Sequence, residues 1–126
     1  MTNEQQQHEE LVKGISKQMK RILDGSQQAM YIYLDDIHKV CNARFAALLG
    51  YRSPEEWAQV EDAFEIFVDR SSQETLANAY HQAMEKLIPF NIKVTWKKKS
   101  AGTVATSVVL VPIAFNDTIF ALHFIS

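Results

Sequence analysis

The sequence has little cysteine, little net charge and no long apolar run, and each shortage excludes a class of protein. Its 126 residues include one cysteine, Cys41, which excludes an intramolecular disulfide and a multi-cysteine zinc cluster and favours a reducing compartment. The 13 Lys and Arg nearly balance the 15 Asp and Glu, so the basic surface typical of nucleic-acid binding is missing. No apolar stretch approaches the roughly 18 residues of a membrane span, and the N-terminus MTNEQQQHEE does not read as a signal peptide. We therefore expect a soluble cytoplasmic protein with neither a nucleic-acid nor a membrane partner.

The chain also lacks internal repeats and low-complexity tracts, and its 47% of hydrophobic residues is ordinary for a globular domain. One candidate boundary lies at Asp24-Gly25-Ser26, where a polar helical pattern gives way to a strand pattern. We therefore divide the chain into an N-terminal amphipathic helix at residues 1–24 and a single domain at residues 25–126.

The N-terminal helix is predicted by apolar residues spaced three, four and three apart, which form one stripe: Val12, Ile15, Met19 and Ile22. Such a stripe needs a cover, either from the domain that follows or from the same helix of a second chain. Gly14 costs this helix about 1 kcal/mol relative to Ala, so we expect the helix to need that covering surface.

Strand patterns lie at both ends of residues 25–126. The runs at 29–34 and 37–41 flank Asp35-Asp36 and predict a hairpin. Residues 90–96 alternate between apolar and polar, which is the pattern of a half-buried strand. Two further strands are predicted at 103–115 and 118–126, on either side of Asn116-Asp117.

Three helices are predicted between these strands. Asn42 suits the N-cap of the first, and Gly50 suits a left-handed residue at its end. A capping box, Ser53-Pro54-Glu55-Glu56, begins the second, whose apolar residues continue at helical spacing to Phe67. Ser71-Ser72-Gln73-Glu74 repeats the pattern before a helix that runs to about Lys86. Hairpins at both ends with helices between them predict an antiparallel α+β domain.

Several segments stand in one characteristic order: AMYIYLDDIHKV, NARFAALLGY, SPEEW, VDRSSQ, KKKSAGT and VPIAFNDTIFALHF. Together they resemble the PAS family of sensory domains over about residues 23–126. The resemblance implies a five-stranded antiparallel sheet in the order 2-1-5-4-3, with helices on one face enclosing a small cavity. It also implies signal detection or protein association rather than catalysis.

The resemblance allows PAS cofactors to be checked at matching positions. Haem-binding members carry a histidine near the position of Gln73 or Glu74, whereas His81 lies about two turns later. Light-oxygen-voltage members need a reactive cysteine where this chain has Val60-Glu61-Asp62-Ala63-Phe64, and Cys41 lies elsewhere. The resemblance therefore disfavours haem and a photoactive flavin adduct. Cys41 is better interpreted as a small buried hydrophobe.

His123 occupies the place of the glutamine that hydrogen-bonds the flavin in light-oxygen-voltage members. By strand alternation it would face the cavity, where it could hydrogen-bond a small ligand and change its charge between pH 5 and 8. The alternatives are a hydrogen bond to a core backbone group or a water, or an alternation that is off by one residue, so that His123 faces outward. The residues predicted to face the cavity are His123, Ala121, Ile119, Ile92, Val94, Tyr80, Leu76 and Phe45.

The same alternation places a second apolar set on the outer face of the sheet, namely Tyr31, Tyr33, Phe120, Leu122 and Phe124. This face is too apolar to remain in water. The stripe of the N-terminal helix is the obvious cover, in the same chain or exchanged in a dimer. We therefore expect a homodimer built on this helix and the outer face.

No catalytic or metal-binding motif is present. His8, His38, His81 and His123 lack the spacing of metal ligands, so no metal site is predicted. The carboxylates fall in turns and on polar helix sides, and residues 97–99 form a short basic hairpin tip. We expect a non-enzymatic sensory module that signals through its first helix to a partner in trans, because no output domain fits in 126 residues, unless these residues are a piece of a longer chain.

The sequence is also compatible with two other functions. The first is a constitutive dimerisation or scaffolding module whose interior is filled by its own side chains. The second is a small α+β enzyme of the ketosteroid-isomerase or cystatin-like kind. It ranks last, because that fold class usually places its helices before the sheet.

Overall fold

Within the described residues, the chain forms one helix, then two strands, then four helices and finally three strands. The structure is a computed structural model that describes residues 3–35 and 38–126. Its elements are α1 (Asn3–Gly25), β1 (Ala29–Asp35), β2 (His38–Cys41), α2 (Ala43–Leu48), α3 (Pro54–Ala58), α4 (Ala63–Phe67), α5 (Arg70–Lys86), β3 (Phe90–Lys97), β4 (Thr103–Phe115) and β5 (Thr118–Ile125). The hairpin residues Asp36 and Ile37, and residues 1 and 2 of the predicted helix, lie outside the described residues.

The five strands form one antiparallel sheet in the order β2-β1-β5-β4-β3. This confirms the predicted α+β fold class and the predicted strand order. Two separate apolar cores flank the sheet, one beneath α2 to α5 and the other beneath α1. We call the sheet surfaces that face them the inner face and the outer face.

Strand β5 divides its side chains between the two cores. Ala121 and Ile125 belong to the inner core, whereas Phe120 and Leu122 belong to the outer core. This is the sense of alternation that the sequence predicts for the last strand. His123 therefore projects from the inner face, and it is 2% exposed.

Tyr31 and Tyr33 lie on the inner face, so their predicted placement on the outer face is wrong. Tyr31 stands directly opposite His123 across β1 and β5, and Tyr33 stands opposite Ala121. Residues directly opposite each other in an antiparallel pair share one face. The outer-face positions of β1 belong instead to Met30 and Ile32.

Helix α1 covers the outer face within the same chain. Its buried residues are Leu11, Ile15 and Leu23, with Val12 and Met19 half-buried beside them. Ile22 is 53% exposed, so within one chain the domain covers only part of the predicted stripe. Spacings of four residues align Leu11, Ile15 and Leu23 on one side of the helix, and Ile22 falls next to that line.

Gly14 lies where α1 meets the end of β4. A Cβ atom at this position would be 3.1 Å from two ring carbons of Phe115. The missing side chain therefore lets the aromatic ring approach the helix backbone closely. This packing offsets the lower helix propensity of glycine relative to alanine.

The observed helix ends match the predicted ones at two N-caps and differ from them at two other places. Asn42 and Ser53 accept N-cap hydrogen bonds from Phe45 and Glu56, as predicted. The predicted second helix is split into α3 and α4, because Asp62 adopts a left-handed φ of 53° between them. Helix α5 is capped by Asp69, which accepts from the Ser71 N–H, and begins before the predicted Ser71 cap.

Candidate functional site

A pocket of about 270 Å³ lies between the inner face of the sheet and helices α3, α4 and α5. Its wall is mostly aromatic and aliphatic and consists of Tyr31, Tyr33, Trp57, Ala63, Phe64, Phe67, Val68, Leu76, Ala77, Tyr80, His81, Trp96 and His123. Within residues 3–35 and 38–126, no Asp, Glu, Lys or Arg contributes to this wall. The pocket therefore suits an uncharged, mainly apolar molecule.

His123 lies flat against Tyr31 at the base of the pocket. The ring centroids are 3.8 Å apart, the interplanar angle is 11°, and Nδ1 lies 3.2 Å from the Ala121 carbonyl oxygen. Burial lowers the pKa of His123 to about 3, although hydrogen bonding to the backbone of Ala121 and Tyr31 opposes the shift. The imidazole is therefore neutral between pH 5 and 8, and the predicted charge change in that range is wrong.

Tyr31 is the centre of a cluster of aromatic rings. Besides His123, its ring contacts Phe45 at 4.8 Å, Trp57 at 5.5 Å and Trp96 at 5.8 Å between centroids. Burial raises the pKa of Tyr31 well above its ordinary value, so the phenol is neutral. The interlocked rings form a rigid, uncharged base for the pocket.

The two tryptophans of the wall differ in their hydrogen bonding. Trp96 Nε1 donates to Thr106 Oγ1 at 2.8 Å, and Thr106 Oγ1 donates to the Val94 carbonyl at 3.1 Å. Trp57 is 2% exposed, and its Nε1 has no hydrogen-bond partner in the described part of the chain. A buried donor without a partner costs about 1–3 kcal/mol, so the Trp57 N–H is an unsatisfied polar group next to the pocket.

Lys39 holds Trp57 and the end of α3 against β2. Its side chain is buried, and Nζ donates to the carbonyls of Ala58 at 3.1 Å and Val60 at 2.8 Å. The same ammonium lies 5.2 Å from the centre of the Trp57 ring. Lys39 therefore positions the wall of the pocket, a role that sequence reasoning missed because a strand lysine normally points to solvent.

The predicted cavity residues divide into three groups. Leu76, Tyr80 and His123 line the pocket. A second group is buried in the inner core but does not line the pocket, namely Phe45, Val94 and Ala121. Ile92 and Ile119 are half-buried and not part of the wall.

Sequence reasoning missed the largest part of the wall, which α3, α4 and β1 supply. The helical spacing of Trp57, Phe64 and Phe67 was the signal that could have identified these residues. His81 is exposed on α5 and contributes to the wall beside Tyr80, whose hydroxyl donates to the Leu34 carbonyl at 3.3 Å.

Cys41 is buried and does not line this pocket. Burial is the main cause that raises the pKa of its thiol to about 12. The thiol is therefore protonated at neutral pH, in agreement with its interpretation as a small buried hydrophobe. None of the described helices is long and apolar enough to cross a membrane.

Comparisons with known proteins identify the fold. No family model and no curated protein matches the sequence. The structure is similar to the PAS domain of a protein from Colwellia psychrerythraea, with 17% identity, a TM-score of 0.69, and coverage of 89% of this chain and 95% of that chain. A PAS domain from a two-component sensor histidine kinase is 11% identical, with a TM-score of 0.67 and coverage of 90% and 96%.

The PAS domain of an HTR-like protein from Haloarcula marismortui is 15% identical, with a TM-score of 0.64 and coverage of 96% of this chain and 98% of that chain. The resemblance in the sequence is thus confirmed at the level of the fold, and this chain has the PAS fold. At these identities the similarity shows the fold alone.

Proposed function

We propose that the protein is a non-enzymatic sensory module that binds a small, flat, uncharged molecule in the pocket beneath α3, α4 and α5. The observation that carries this proposal is the apolar pocket of about 270 Å³, and Trp57 in its wall also has a buried Nε1–H without a partner among the described residues. We propose that a small shift of the Trp57 ring on binding lets an acceptor atom of the ligand take this hydrogen bond and remove its desolvation cost.

The size and chemistry of the pocket support a small ligand. Ligand pockets typically measure about 300–1,000 Å³, and 270 Å³ lies just below that range. A scaffold with a filled interior has no need of an apolar hollow of this size beneath its helices, so the pocket favours ligand binding. The neutral His123 and Tyr31 rings favour a planar molecule stacked among them.

Strands β1 and β5 supply a route from the pocket to α1. Tyr31 and His123 face the pocket side of the sheet, and their chain neighbours Ile32 and Leu122 pack beneath α1. A ligand that binds one arrangement of the inner rings more tightly than another would increase the population of that arrangement. The packing of α1 would shift with it, by an amount set by the difference in affinity. We propose that α1 passes this change to a partner protein, a role supported by the sensor histidine kinase that contains one similar domain.

Calorimetric titration with quinoline tests ligand binding, because quinoline is flat, neutral at pH 7 and carries one acceptor nitrogen. Replacing Ala77, which lines the pocket on α5, by Trp fills the space. The control Asn78→Trp adds the same side chain at the next, exposed position. We expect Asn78→Trp to bind quinoline as the wild type does, and Ala77→Trp to bind at least tenfold more weakly. Equal affinity in the two variants, or no saturable binding by the wild type, would contradict the proposal.

We further propose that two chains associate through exposed apolar side chains on α1 and β4. Ile22 on α1 is 53% exposed, and Val109 on β4 is 37% exposed. Both are large hydrophobic side chains, and contact with a second chain would remove them from water. Light scattering at tens of micromolar should give a dimer mass for the wild type and a monomer mass for Ile22→Glu combined with Val109→Glu. A wild-type monomer, or a dimer that the double variant preserves, would exclude this interface.

A further inference from the structure

Three side chains that are distant in the sequence meet at the far end of the β1–β2 hairpin. His8 comes from α1, Asp35 ends β1, and His38 begins β2. One candidate ligand atom from each lies within 4.8 Å of the other two. We propose that these three residues form a binding site for a divalent transition-metal ion, specifically Zn²⁺, and that the ion fastens α1 to the hairpin.

The donor set determines the class of metal. Two imidazoles and one carboxylate suit Zn²⁺ and its transition-metal neighbours, whereas Mg²⁺ and Ca²⁺ prefer oxygen ligands. Three protein ligands would leave one tetrahedral position for water or another small ligand. The site is separate from the pocket, because none of the three residues lines it.

The distances are close to those that one ion imposes. Ligand atoms about 2.1 Å from a metal ion are separated by about 3.0 Å at right angles and about 3.4 Å in a tetrahedron. His38 Nδ1 is hydrogen-bonded to Asp35, 2.8 Å and 2.9 Å from its two oxygens, so a bound ion would take the place of the shared proton; His8 Nδ1 lies 3.9 Å from Oδ2. Because the three ligand atoms lie within 4.8 Å of one another, closure of the site needs movements of roughly 1–1.5 Å, to which the partly exposed His8 side chain can contribute.

The backbone already fixes the carboxylate. The His38 N–H donates to Asp35 Oδ1 at 2.8 Å, and the two residues are register partners at the end of the hairpin. A hydrogen bond of this kind orients a metal-binding carboxylate before the ion arrives. The His8 and His38 rings are in edge contact with 5.3 Å between their centroids, so both imidazoles face one small volume.

The position of the site in the fold gives the ion a structural effect. Near the other end of α1, the Leu23 carbonyl accepts from Asn42 Nδ2 at 3.1 Å. The 15 residues from His8 to Leu23 span about 22 Å of helix, which is close to the length of β1 at about 3.4 Å per residue. His8 is 3.9 Å from Asp35, too far for a hydrogen bond, so the bound ion would supply a tether at this end of α1.

Titration of the full chain with Zn²⁺ by calorimetry, and with Co²⁺ by visible absorption, tests the site. We expect one ion per chain, a higher Tm with Zn²⁺, no binding of Mg²⁺, and at least tenfold weaker Zn²⁺ binding by His8→Ala and His8→Gln. Both substitutions are at a partly exposed helix position, so folding should be preserved and is checked by circular dichroism. His81→Ala removes an exposed histidine outside the cluster and should bind Zn²⁺ as the wild type does.

Three results would overturn the proposal. The first is no saturable Zn²⁺ binding by the wild type. The second is an affinity of both His8 variants within twofold of the wild type. The third is an equal loss of affinity in His81→Ala. None of these depends on quinoline binding, so the metal site and the pocket are tested separately.

Discussion

The imidazole of His123 lies parallel to the phenol ring of Tyr31 from the facing strand, with 3.8 Å between the ring centroids. The two residues are direct partners in the β1–β5 register, so the contact is built into the pairing of the central strands. Burial in this stack prevents His123 from taking up a proton at ordinary pH. His123 is therefore a neutral wall of the pocket and a source of acid sensitivity in the fold.

The first prediction concerns stability against pH. The pKa of His123 is about 3 in the folded state and close to 6.5 in the unfolded chain, so the unfolded state binds the extra proton between these values. Stability is therefore lost as the pH falls below about 6.5. Between pH 7 and pH 5 this one group should lower the free energy of unfolding by about 2 kcal/mol.

Urea unfolding at pH 7 and pH 5 measures this loss. The variant His123→Gln has no titrating ring, so its stability should decrease by about 2 kcal/mol less than that of the wild type over the same interval. His81→Gln, at an exposed position, should behave as the wild type does. An equal pH dependence of the wild type and His123→Gln would show that His123 is not held neutral by burial.

The second prediction concerns Asn42, which joins three elements. Its Oδ1 accepts from the N–H groups of Met30 and Phe45, and its Nδ2 donates to the carbonyls of Leu23 and Gln28, all at 2.9–3.1 Å. Asn42→Ala would leave several buried backbone groups unpaired, so we expect it to lower the free energy of unfolding by about 3–5 kcal/mol.

The control is the other N-cap, Ser53, whose hydroxyl accepts one hydrogen bond from the Glu56 N–H at 3.1 Å. Ser53→Ala should cost about 1 kcal/mol, as N-cap substitutions generally do. Equal losses for the two variants in chemical denaturation would mean that Asn42 acts only as a helix cap.

The third prediction tests the packing of α1 on the outer face. Ile15 is 2% exposed and Ile22 is 53% exposed on the same helix. Ile15→Ala should destabilise the fold by about 2–5 kcal/mol, because it opens a cavity in the outer core. In protein diluted until it is monomeric, Ile22→Ala should change the free energy of unfolding by no more than about 0.5 kcal/mol. Small, similar effects in thermal and urea unfolding would indicate that α1 does not cover the sheet.

Strands β5 and β1 show when a sequence pattern can predict the face of the sheet on which a side chain lies. In β5, Phe120 and Leu122 alternate with Ala121 and His123 between the two faces. The predicted assignment of these residues to the inner and outer faces was correct. In β1 the run AMYIYL is apolar at nearly every position, because both faces of the strand are covered. Periodicity then does not indicate which side chains face inward. Only the pairing of Tyr31 with His123 places the tyrosines on the inner face.

The two sites differ in how much the sequence could reveal. The helical spacing from Trp57 to Phe67 indicated a packed helical face, but the left-handed Asp62 that divides it has no strong sequence signal. That the Trp57 N–H finds no acceptor among the described residues is a property of the packed fold. His8 is 27 residues from Asp35 and 30 from His38, and only the docking of α1 brings the three together. The expectation of no metal site rested on local spacing, which does not detect such a cluster.

The indole N–H resonances of the two tryptophans give the most direct test of the ligand pocket. They are observed in ¹⁵N-labelled protein during separate titrations with quinoline and with naphthalene, which has the same shape but no acceptor, and Trp57→Phe assigns them. Quinoline should shift the Trp57 resonance downfield as its N–H becomes hydrogen-bonded, while naphthalene should not. Trp96 should show no such difference, because its N–H already donates to Thr106. The same Trp57 response to both compounds, or no response to either, would contradict the account.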